Sequence, residues 1–291
     1  MPELPEVEHV VRALRRVILG RTIVASEVRL AKLIAPLTVA SFNRRIKNAR
    51  IIGVSRRGKF ILAQLARPTG SAGVAPPKRA QRAQNLILAV HLRMTGKFVL
   101  LNTDDELPKH AHAIFYLDQD QRLVFRDQRQ FGVMKLIDSS KLSQTKGIKE
   151  LAPEPFGDEF DLNYLKETLN RSQRSLKTLL LDQTKVLGLG NIYAAEALFR
   201  ARINPFKPAN KLSPRRVPAL YDAIREVLQF AVDHIRGSIS LEEGFSYGAA
   251  FERFWQVYER EGEPCVRCGA KIRRATHGGR STYWCPKCQT R

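Results

Sequence analysis

The chain has 291 residues, of which 44% are apolar, and it carries 49 Lys and Arg against 28 Asp and Glu, a formal net charge of +21. This length suits two globular domains, and the large positive excess indicates a polyanionic partner, with nucleic acid favoured over a membrane. We find no signal peptide and no apolar run that could span a bilayer, which predicts a cytoplasmic protein, and four Cys confined to one short segment argue against a secreted disulfide framework.

The first predicted element is a helix from about Glu3 to Leu19, marked by apolar residues at helical spacing. Pro2 stands directly before it, and removal of Met1 would leave Pro2 as a secondary amine at the N-terminus. Such an amine can attack an aldehyde carbon, and the resulting iminium ion stays cationic because it has no N–H to lose. We expect Pro2 to be exposed, with the acids Glu3 and Glu6 one turn apart. Proline and acidic residues are equally typical of an ordinary first helical turn.

Short β-type runs follow, and closely spaced runs separated by turn residues predict a β-sandwich or barrel. The predicted strands are Thr22–Arg29, Arg50–Ser55, Phe60–Leu65, Leu86–Met94, Phe98–Leu101, Ala113–Leu117, Leu123–Arg126 and Val133–Ile137. Alternation along the fourth run predicts that Met94 shares a face with Leu86, Leu88 and Val90. The stretch Arg67–Gln84 is rich in Pro, Gly, Ala and basic residues, which predicts a mobile loop.

The second half of the chain has a helical period. Leu151–Asp161 is typical of a domain linker, and Val217–Ile235 predicts one long amphipathic helix. Between them, Gly188 and Gly190 open a further predicted helix. These glycines could let a ligand phosphate approach the helix N-terminus, or they could simply form a turn. The change of period predicts a boundary near residue 150, and the cysteine segment near the C-terminus predicts a third domain, which gives domains at residues 1–150, 151–255 and 256–291.

Two CxxC pairs near the C-terminus predict a zinc ribbon. Cys265 and Cys268 form the first pair, and Cys285 and Cys288 form the second. Four thiolates at this spacing typically close a tetrahedral, structural zinc site, which leaves no open position for catalysis. The alternative is two incidental pairs. The hairpin enclosed by the pairs, Lys271–Trp284, is rich in basic residues that could contact phosphate.

Three further stretches place candidate side chains on turns or at the end of a predicted strand. Lys59 follows Arg-Arg-Gly, Met94 ends the fourth predicted strand, and Arg129 and Phe131 lie in Asp-Gln-Arg-Gln-Phe. Each has a structural explanation: a solvated basic turn for Lys59, a core position for Met94, and an ordinary hairpin for the last two.

Together these stretches resemble the formamidopyrimidine-DNA glycosylase family of bacterial base-excision repair enzymes. The matching segments, which cover nearly the whole chain, are PELPEVE, RRGKF, HLRMTGKF, PKHAH, DQRQFG, LLLDQTKVLGLGNIYAAEALF, QVYEREGEPC and the cysteine finger. The resemblance implies an α+β fold, in which an N-terminal β-sandwich with an N-terminal helix precedes a helical helix-two-turn-helix domain and a C-terminal zinc-ribbon finger. It further implies one structural zinc ion, double-stranded DNA with oxidised bases or abasic sites as the partner, no membrane, and a monomer associated with the bacterial nucleoid through DNA.

The resemblance also implies roles for individual residues. Pro2 is the nucleophile that attacks C1′ of the damaged nucleotide, and Glu3 is the acid/base that helps open the sugar and expel the base. Lys59 and Arg280 match the proton donors for β- and δ-elimination. The implied DNA-binding residues, of which Met94, Arg129 and Phe131 fill the gap left by the flipped nucleotide, are Glu6, His91, Met94, His110, Arg129, Phe131, Lys177 and Asn191.

Three departures from the family pattern stand out. The Arg67–Gln84 loop is longer than usual, and the motif usually written DPRRFG has one cation fewer. The loop Gly237–Gly248 is shortened, and because this region closes over oxidised guanine in the family, the lesion preference is left open. The leading hypothesis is a glycosylase and abasic-site lyase for oxidised purines. An endonuclease VIII-type enzyme for oxidised pyrimidines is the second, although the start PELPE rather than PEGPE argues against it. A non-catalytic zinc-ribbon DNA-binding protein is the third, and it would not need Pro2, Glu3, Lys59 and Arg280 together.

Overall fold

The computed structural model describes residues 1–67, 85–235, 239–240, 244–245 and 254–290. Its α-helices are α1 (Leu4–Ile18), α2 (Val39–Ile46), α3 (Leu162–Asn170), α4 (Leu176–Leu180), α5 (Asn191–Arg200) and α6 (Val217–His234). Its strands are β1 (Thr22–Val28), β2 (Ala49–Arg57), β3 (Phe60–Ala66), β4 (Leu86–His91), β5 (Lys97–Asn102), β6 (Ala111–Leu117), β7 (Gln121–Arg126), β8 (Val133–Asp138), β9 (Ile239–Ser240), β10 (Gly244–Phe245), β11 (Arg273–His277) and β12 (Arg280–Trp284).

The chain divides into two compact units. The sheet unit contains Met1–Pro2, Glu6–Lys149 and Gly237–Tyr247, and the helical unit contains Glu3–Pro5, Glu150–Arg236 and Gly248–Arg291. The N-terminal segment therefore contributes its residues 3–5 to the helical unit, although the rest of α1 belongs to the sheet unit.

The sheet unit is built on one antiparallel sheet with the strand order β5-β7-β6-β1-β2-β3-β4-β8. All the strands predicted in the first half of the chain are present. Leu88 and Val90 of β4 line the same cavity of about 20 Å³ as Phe98 of β5, although these strands lie near opposite ends of the order. The sheet therefore folds over as two layers around one core, as in a β-sandwich, and the predicted α+β fold is confirmed.

Helix α1 packs its apolar stripe into the core of the sheet unit, as its spacing predicted. Val7, Val11 and Leu14 are each 1% exposed within that core. The polar side is tied to β2, where Arg15 donates to the Val54 carbonyl through Nε at 3.1 Å and through a terminal nitrogen at 2.7 Å. Burial of the stripe orients the helix, and the arginine fixes its register along the strand.

Two local features of this unit differ from what the sequence predicted. The helix α2 was not predicted, because its buried apolar residues amount to Phe42 and Ile46, too few to show a period. The strand β4 ends at His91 rather than Met94, and every one of its residues is buried, so its two faces do not differ. β4 lies between β3 and β8 in the sheet, so both of its edges are hydrogen-bonded.

The helical unit follows the predicted change of period. Asp161 caps α3 by accepting the Tyr164 N–H at 2.7 Å, and Ser175 caps α4. The long predicted helix is α6, and the predicted glycine turn before a helix leads into α5. The cysteine segment packs on α5, where Cys265, Cys285 and Ile272 share a buried cluster with Phe199.

Two predicted loops fall largely outside the described residues. The structure describes Arg67 alone of the Arg67–Gln84 stretch, and only β9 and β10 of Gly237–Gly248. Among the described residues, no helix has the length and apolar character that crossing a membrane requires.

Candidate functional site

The carboxylate of Glu3 caps helix α5 from the other end of the sequence. It accepts hydrogen bonds from the backbone N–H groups of Gly190 at 2.5 Å, Ile192 at 2.9 Å and Tyr193 at 3.2 Å. Gly190 is the N-cap residue and supplies no side-chain cap of its own. A carboxylate is favoured here because the first N–H groups of a helix lack partners and the helix dipole is positive at this end. Glu3 is 3% exposed, so its position is fixed.

Glycines make this close approach possible. A Cβ atom on Gly190 would lie 2.4 Å from Cδ of Glu3, and one on Gly188 would lie 2.5 Å from Cδ1 of Leu4. Gly188 also has a φ of +89°, a conformation that other residues rarely adopt, and its carbonyl accepts the Leu4 N–H at 3.0 Å. The glycine motif thus receives the N-terminal segment. The phosphate interpretation is wrong for the N–H groups of residues 190, 192 and 193.

Pro2 is buried, so the prediction that it is exposed is wrong. The physical reason is that the following residues, Glu3 and Leu4, are tied down by backbone hydrogen bonds, which orders a chain terminus. Met1 precedes Pro2 in the sequence, so the Pro2 nitrogen is part of an amide and carries no available lone pair. The amine formed by removal of Met1 would adjoin a carboxylate whose place is already set.

Lys59 lies in the tight connection between β2 and β3. Gly58 precedes it with a φ of +54°, as expected for the first central position of a two-residue hairpin turn that requires glycine. The Lys59 side chain is 5% exposed, so the structure does not support the interpretation of this residue as a solvated basic turn.

His91 is a buried, neutral imidazole at the end of β4. Burial, together with the nearby charges of Arg93 and Lys59, lowers its pKa to about 3. Its Nδ1 atom accepts the Arg93 N–H at 3.0 Å, so in the neutral ring the proton is on Nε2. Phe60 packs edge-to-face on the ring, with centroids 4.9 Å apart. His91 can therefore act as a hydrogen-bond donor without carrying charge near neutral pH.

The predicted gap-filling side chains are exposed on loops of the sheet unit. Met94 is 44% exposed and Phe131 is 51% exposed, so the core interpretation of Met94 is wrong. The guanidinium carbon of Arg129 lies 5.0 Å from the centroid of the Phe131 ring. Apolar side chains next to a cation suit insertion into a stack of bases. His110 is also exposed on a loop, with a φ of +65°.

Arg280 stands at the tip of the finger hairpin, which consists of β11, Gly278–Gly279 and β12. Both glycines have a positive φ, +57° and +73°, and two such residues form the tight turn that antiparallel strands favour. Arg280 is the first residue of β12, pairs with His277, and is exposed.

The finger hairpin is held by donors from α4 and α5. Lys177 Nζ donates to the Ser281 carbonyl at 2.6 Å and to the Thr282 hydroxyl at 2.9 Å, and Asn191 Nδ2 donates to the same carbonyl at 3.0 Å. Lys177 is 1% exposed. Burial and the charge of Arg280 lower its pKa to about 8, against the opposing effect of Glu3. We expected Lys177 and Asn191 to contact DNA, but here these donors are directed to the residue that follows Arg280.

The four cysteines form a compact thiol cluster. Their sulfur atoms all lie within 4.8 Å of one another, with 3.9 Å between Cys265 and Cys288 and 3.5 Å between Cys268 and Cys285. Zinc–sulfur bonds of about 2.3 Å in a tetrahedron separate the sulfurs by about 3.8 Å. Cys285 Sγ also accepts the Cys288 N–H at 3.3 Å. The set fits one structural zinc ion.

Two buried carboxylates with organising roles were not found from the sequence. Glu196 on α5 accepts the N–H groups of Gln256, Val257 and Tyr258 at 2.9 to 3.1 Å, which anchors the segment that leads into the finger. Burial raises its pKa. Asp127 is 1% exposed and binds loop residues in the sheet unit. An acidic residue within an apolar helix was a usable signal for Glu196, but Asp127 lies in an ordinary turn sequence.

Comparison with known proteins covers the whole chain. Residues 1–134 match the formamidopyrimidine-DNA glycosylase N-terminal domain, residues 151–243 match the H2TH domain of the same family, and residues 262–291 match a zinc finger found in FPG and IleRS. The formamidopyrimidine-DNA glycosylase of Pelotomaculum thermopropionicum is 43% identical over 291 residues, which cover 99% of each chain.

Solved structures of DNA complexes have the same fold. A mutant of the Lactococcus lactis FPG bound to Fapy-dG containing DNA superposes with a TM-score of 0.88 at 33% identity, and covers 100% of both chains. The wild-type Lactococcus lactis protein bound to an oxidised pyrimidine containing DNA gives a TM-score of 0.87 at 34% identity, with the same coverage. With this coverage and identity, the chain described here belongs to the formamidopyrimidine-DNA glycosylase family.

Proposed function

We propose that this chain removes oxidised purines, namely formamidopyrimidines and 8-oxoguanine, from double-stranded DNA and then cleaves the strand at the abasic site by β- and δ-elimination. The observation that carries the proposal is the placement of Glu3, the residue that follows Pro2. Three backbone N–H groups of α5 and its N-cap fix the Glu3 carboxylate. A relative bound to Fapy-dG containing DNA supports the lesion class. A family that acts in base-excision repair supports the reaction.

The first step uses Pro2 as the nucleophile after Met1 has been removed. The lone pair of its nitrogen forms a bond to C1′, and the base leaves with the electron pair of the glycosidic bond. Glu3 accepts the proton of the Pro2 nitrogen and gives it to O4′ as the C1′–O4′ bond opens. The nitrogen and C1′ are then joined by a double bond as an iminium ion. Its positive charge balances the negative charge of the departed base anion.

The strand is cleaved in two eliminations from this intermediate. Loss of the C2′ proton expels the 3′ phosphate, because the iminium accepts the electron pair, and loss of the C4′ proton expels the 5′ phosphate in the same way. We assign Lys59 the protonation of the departing 3′ phosphate oxygen and Arg280 that of the departing 5′ phosphate oxygen, so each C–H proton lost to a base is matched by a proton donated to the leaving group. Both cations also neutralise phosphate charge, which favours each departure.

The other predicted residues are assigned to DNA binding and base extrusion. Met94, Arg129 and Phe131 fill the gap that the flipped nucleotide leaves and offset the cost of unstacking. His91 and His110 contact the DNA backbone, and Glu6 organises the lesion pocket. We assign Lys177 and Asn191 an indirect part, through the finger hairpin. The bound zinc would keep that hairpin rigid and takes no part in the chemistry.

The organisation inferred from the sequence is part of the same proposal. The chain is divided into a catalytic β-sandwich domain (1–150), a helix-two-turn-helix domain (151–255) and a zinc finger (256–291). The protein acts in the cytoplasm and associates with the nucleoid through its DNA substrate.

The decisive experiment compares two tagged forms of the enzyme. A tag placed before Pro2 should abolish cleavage of abasic DNA and covalent trapping by borohydride, while a C-terminal tag should leave both intact, because only a free Pro2 amine can form the iminium. Binding to duplex DNA should survive in both forms. Trapping by the N-terminally tagged protein would overturn the assignment of Pro2.

Oxidised pyrimidines are the second candidate substrate class. The observation that favours them is the relative bound to an oxidised pyrimidine containing DNA. Oligonucleotides that carry one defined lesion each, an oxidised purine or an oxidised pyrimidine, separate the two classes. Faster release of the pyrimidine under single-turnover conditions would reverse the proposed preference.

A further inference from the structure

We propose that Asp127 is a positioning residue for base extrusion. Three junction loops (residues 92–96, 103–110 and 127–132) carry Met94, His110, Arg129 and Phe131, and Asp127 joins these loops to one another. The inference rests on the proposed function, because it concerns how the gap-filling side chains are held ready.

The side chain of Asp127 connects the first and third junction loops. Its Oδ1 atom accepts the hydroxyl proton of Thr95, and its Oδ2 atom accepts the Gly132 N–H at 2.7 Å. Asp127 is 1% exposed, so these bonds are sheltered from water. Since a buried carboxylate is costly without donors, the loops and the carboxylate hold each other in place.

Thr95 extends the connection to Arg129. Its hydroxyl oxygen accepts the Arg129 N–H at 3.1 Å while it donates its proton to Asp127. Thr95 is the sequence neighbour of Met94, and Arg129 is two residues from Phe131. We call the gap-filling side chains Met94, Arg129 and Phe131 the wedge. One hydroxyl and one carboxylate thus set the backbone next to these side chains.

The backbone of Asp127 holds the second junction loop. Its N–H donates to the His110 carbonyl at 3.1 Å. Its own carbonyl lies 2.9 Å from Nε2 of His112, which stands on β6 just after that loop. The exposed His110, with its positive φ, is therefore fixed from the same residue as the wedge.

Packing beneath the loops leaves little room for adjustment. A Cβ atom on Gly96 would lie 2.8 Å from the Phe125 ring, and one on Gly132 would lie 2.7 Å from the same ring. Phe125 is fully buried. One aromatic ring thus fits against a glycine of the first loop and a glycine of the third, and the hydrogen bonds of Asp127 close the arrangement above it.

This arrangement matters for extrusion because the wedge side chains act only where a base has to leave the stack. Extrusion costs a few kcal/mol, which correctly placed side chains must offset. Misplacement by about 1 Å can cost roughly 100-fold in rate. Disturbing Asp127 should therefore slow the release of a lesion base in duplex DNA while sparing cleavage of an abasic site in single-stranded DNA, where no base is extruded.

The test uses three single variants: Thr95→Val, Thr95→Ser and Asp127→Asn. Thr95→Val removes the hydroxyl at nearly constant shape, whereas Thr95→Ser keeps it. Asp127→Asn keeps one side-chain oxygen as an acceptor but replaces the second with an NH₂ group. We expect Thr95→Val and Asp127→Asn to slow single-turnover release of 8-oxoguanine from duplex DNA roughly 10- to 100-fold. Cleavage of single-stranded abasic DNA should change less than about twofold, and Thr95→Ser should behave as the wild type in both assays.

Asp118→Asn is the matched control. Asp118 follows the other end of β6, accepts the Thr22 N–H at 2.9 Å, and pairs with Arg21, so its loss weakens the same sheet away from the junction loops. Equal slowing by Asp118→Asn, or equal slowing on both substrates by the Asp127 and Thr95 variants, would show that stability alone is involved and would overturn the inference. Unchanged lesion release in Thr95→Val and Asp127→Asn would overturn it too. A wild-type enzyme that neither releases bases nor traps with borohydride would instead contradict the proposed function.

Discussion

Two buried charged side chains hold surface loops in this protein, and they do so with opposite charges. In the sheet unit, the carboxylate of Asp127 collects a hydroxyl and an N–H group from two loops. In the helical unit, the ammonium of Lys177 donates to a carbonyl and a hydroxyl of the finger hairpin. The sign follows from the backbone: the loop at Asp127 turns an N–H group inward, whereas the hairpin turns a carbonyl inward, and each needs the complementary partner.

The two regions differ in how much support the surrounding structure gives them. The junction loops continue the strands of a large sheet and pack on the buried Phe125. The finger hairpin is a two-stranded sheet, which is marginal in isolation, and it depends on the thiol cluster and on α4 and α5. We therefore expect the hairpin to fail first when its supports are removed.

Zinc removal should give the largest difference between the two regions. Structural zinc sites contribute on the order of 10 kcal/mol to local folding, so chelation or Cys268→Ser should unfold the finger hairpin and abolish strand cleavage and DNA binding. The sheet unit should keep its fold, as monitored by hydrogen exchange of the β2 and β3 amides. Active protein that contains no zinc by metal analysis would contradict this expectation.

Lys177→Met should come next. Loss of the donor leaves the partly buried Ser281 carbonyl with the Asn191 bond alone and shifts Arg280, so we expect the δ-elimination product to form roughly 100-fold more slowly. Base release should fall much less. Gel analysis of the cleavage products measures both. Lys166→Met, at an exposed position on α3, is the control and should behave as the wild type.

Lowering the pH should destabilise the sheet unit through His91, which lies in it. Its pKa in the folded protein is about 3, against an ordinary 6.5, so the unfolded chain binds more protons between these values and stability falls as the pH is lowered through this window. From pH 7 to 4.5 this group should cost roughly 2.5 kcal/mol. His91→Gln should lose less stability over the same interval, as measured by urea unfolding at each pH. Equal losses would show that folding does not lower the pKa of His91.

Removing the wedge side chains themselves should have the smallest effect on stability. Met94→Ala with Phe131→Ala alters exposed positions, so the free energy of unfolding should change by less than about 0.5 kcal/mol for each. Lesion release from duplex DNA should nevertheless slow more than cleavage of a pre-formed abasic site. A large loss of stability would mean that the two residues belong to the core after all.

The sequence was informative where the signal was local. Apolar runs located every strand of the sheet, and the spacing of Cys265, Cys268, Cys285 and Cys288 located the thiol cluster. The helix α2 escaped because so few of its residues are buried. Apolar runs and cysteine spacings involve residues that are close together in the sequence, so they can be recognised without knowing how distant segments pack.

Contacts between distant segments could not be predicted. No sequence pattern around Glu3 or Gly190 indicates that these two residues are in contact. The burial of Pro2 follows from that contact, so it could not be predicted either. Lys177 shows the same limit, because the resemblance implied a DNA contact, whereas its ammonium donates to a carbonyl 104 residues further along the chain. Whether such a side chain faces inward is decided by tertiary packing, which residue type alone does not encode.

The cap on α5 also sets an order of events during synthesis. Glu3 and Gly190 are 187 residues apart. A ribosome adds about 5–20 residues per second, so the partners of Glu3 emerge roughly 10 to 40 s after Glu3 itself. During that interval the N-terminal segment has none of the three donors that later bury it, and Met1 is open to removal. If Met1 is removed in this interval, the proposed Pro2 nucleophile forms before its site exists, and the late closure of the cap then fixes the amine in place.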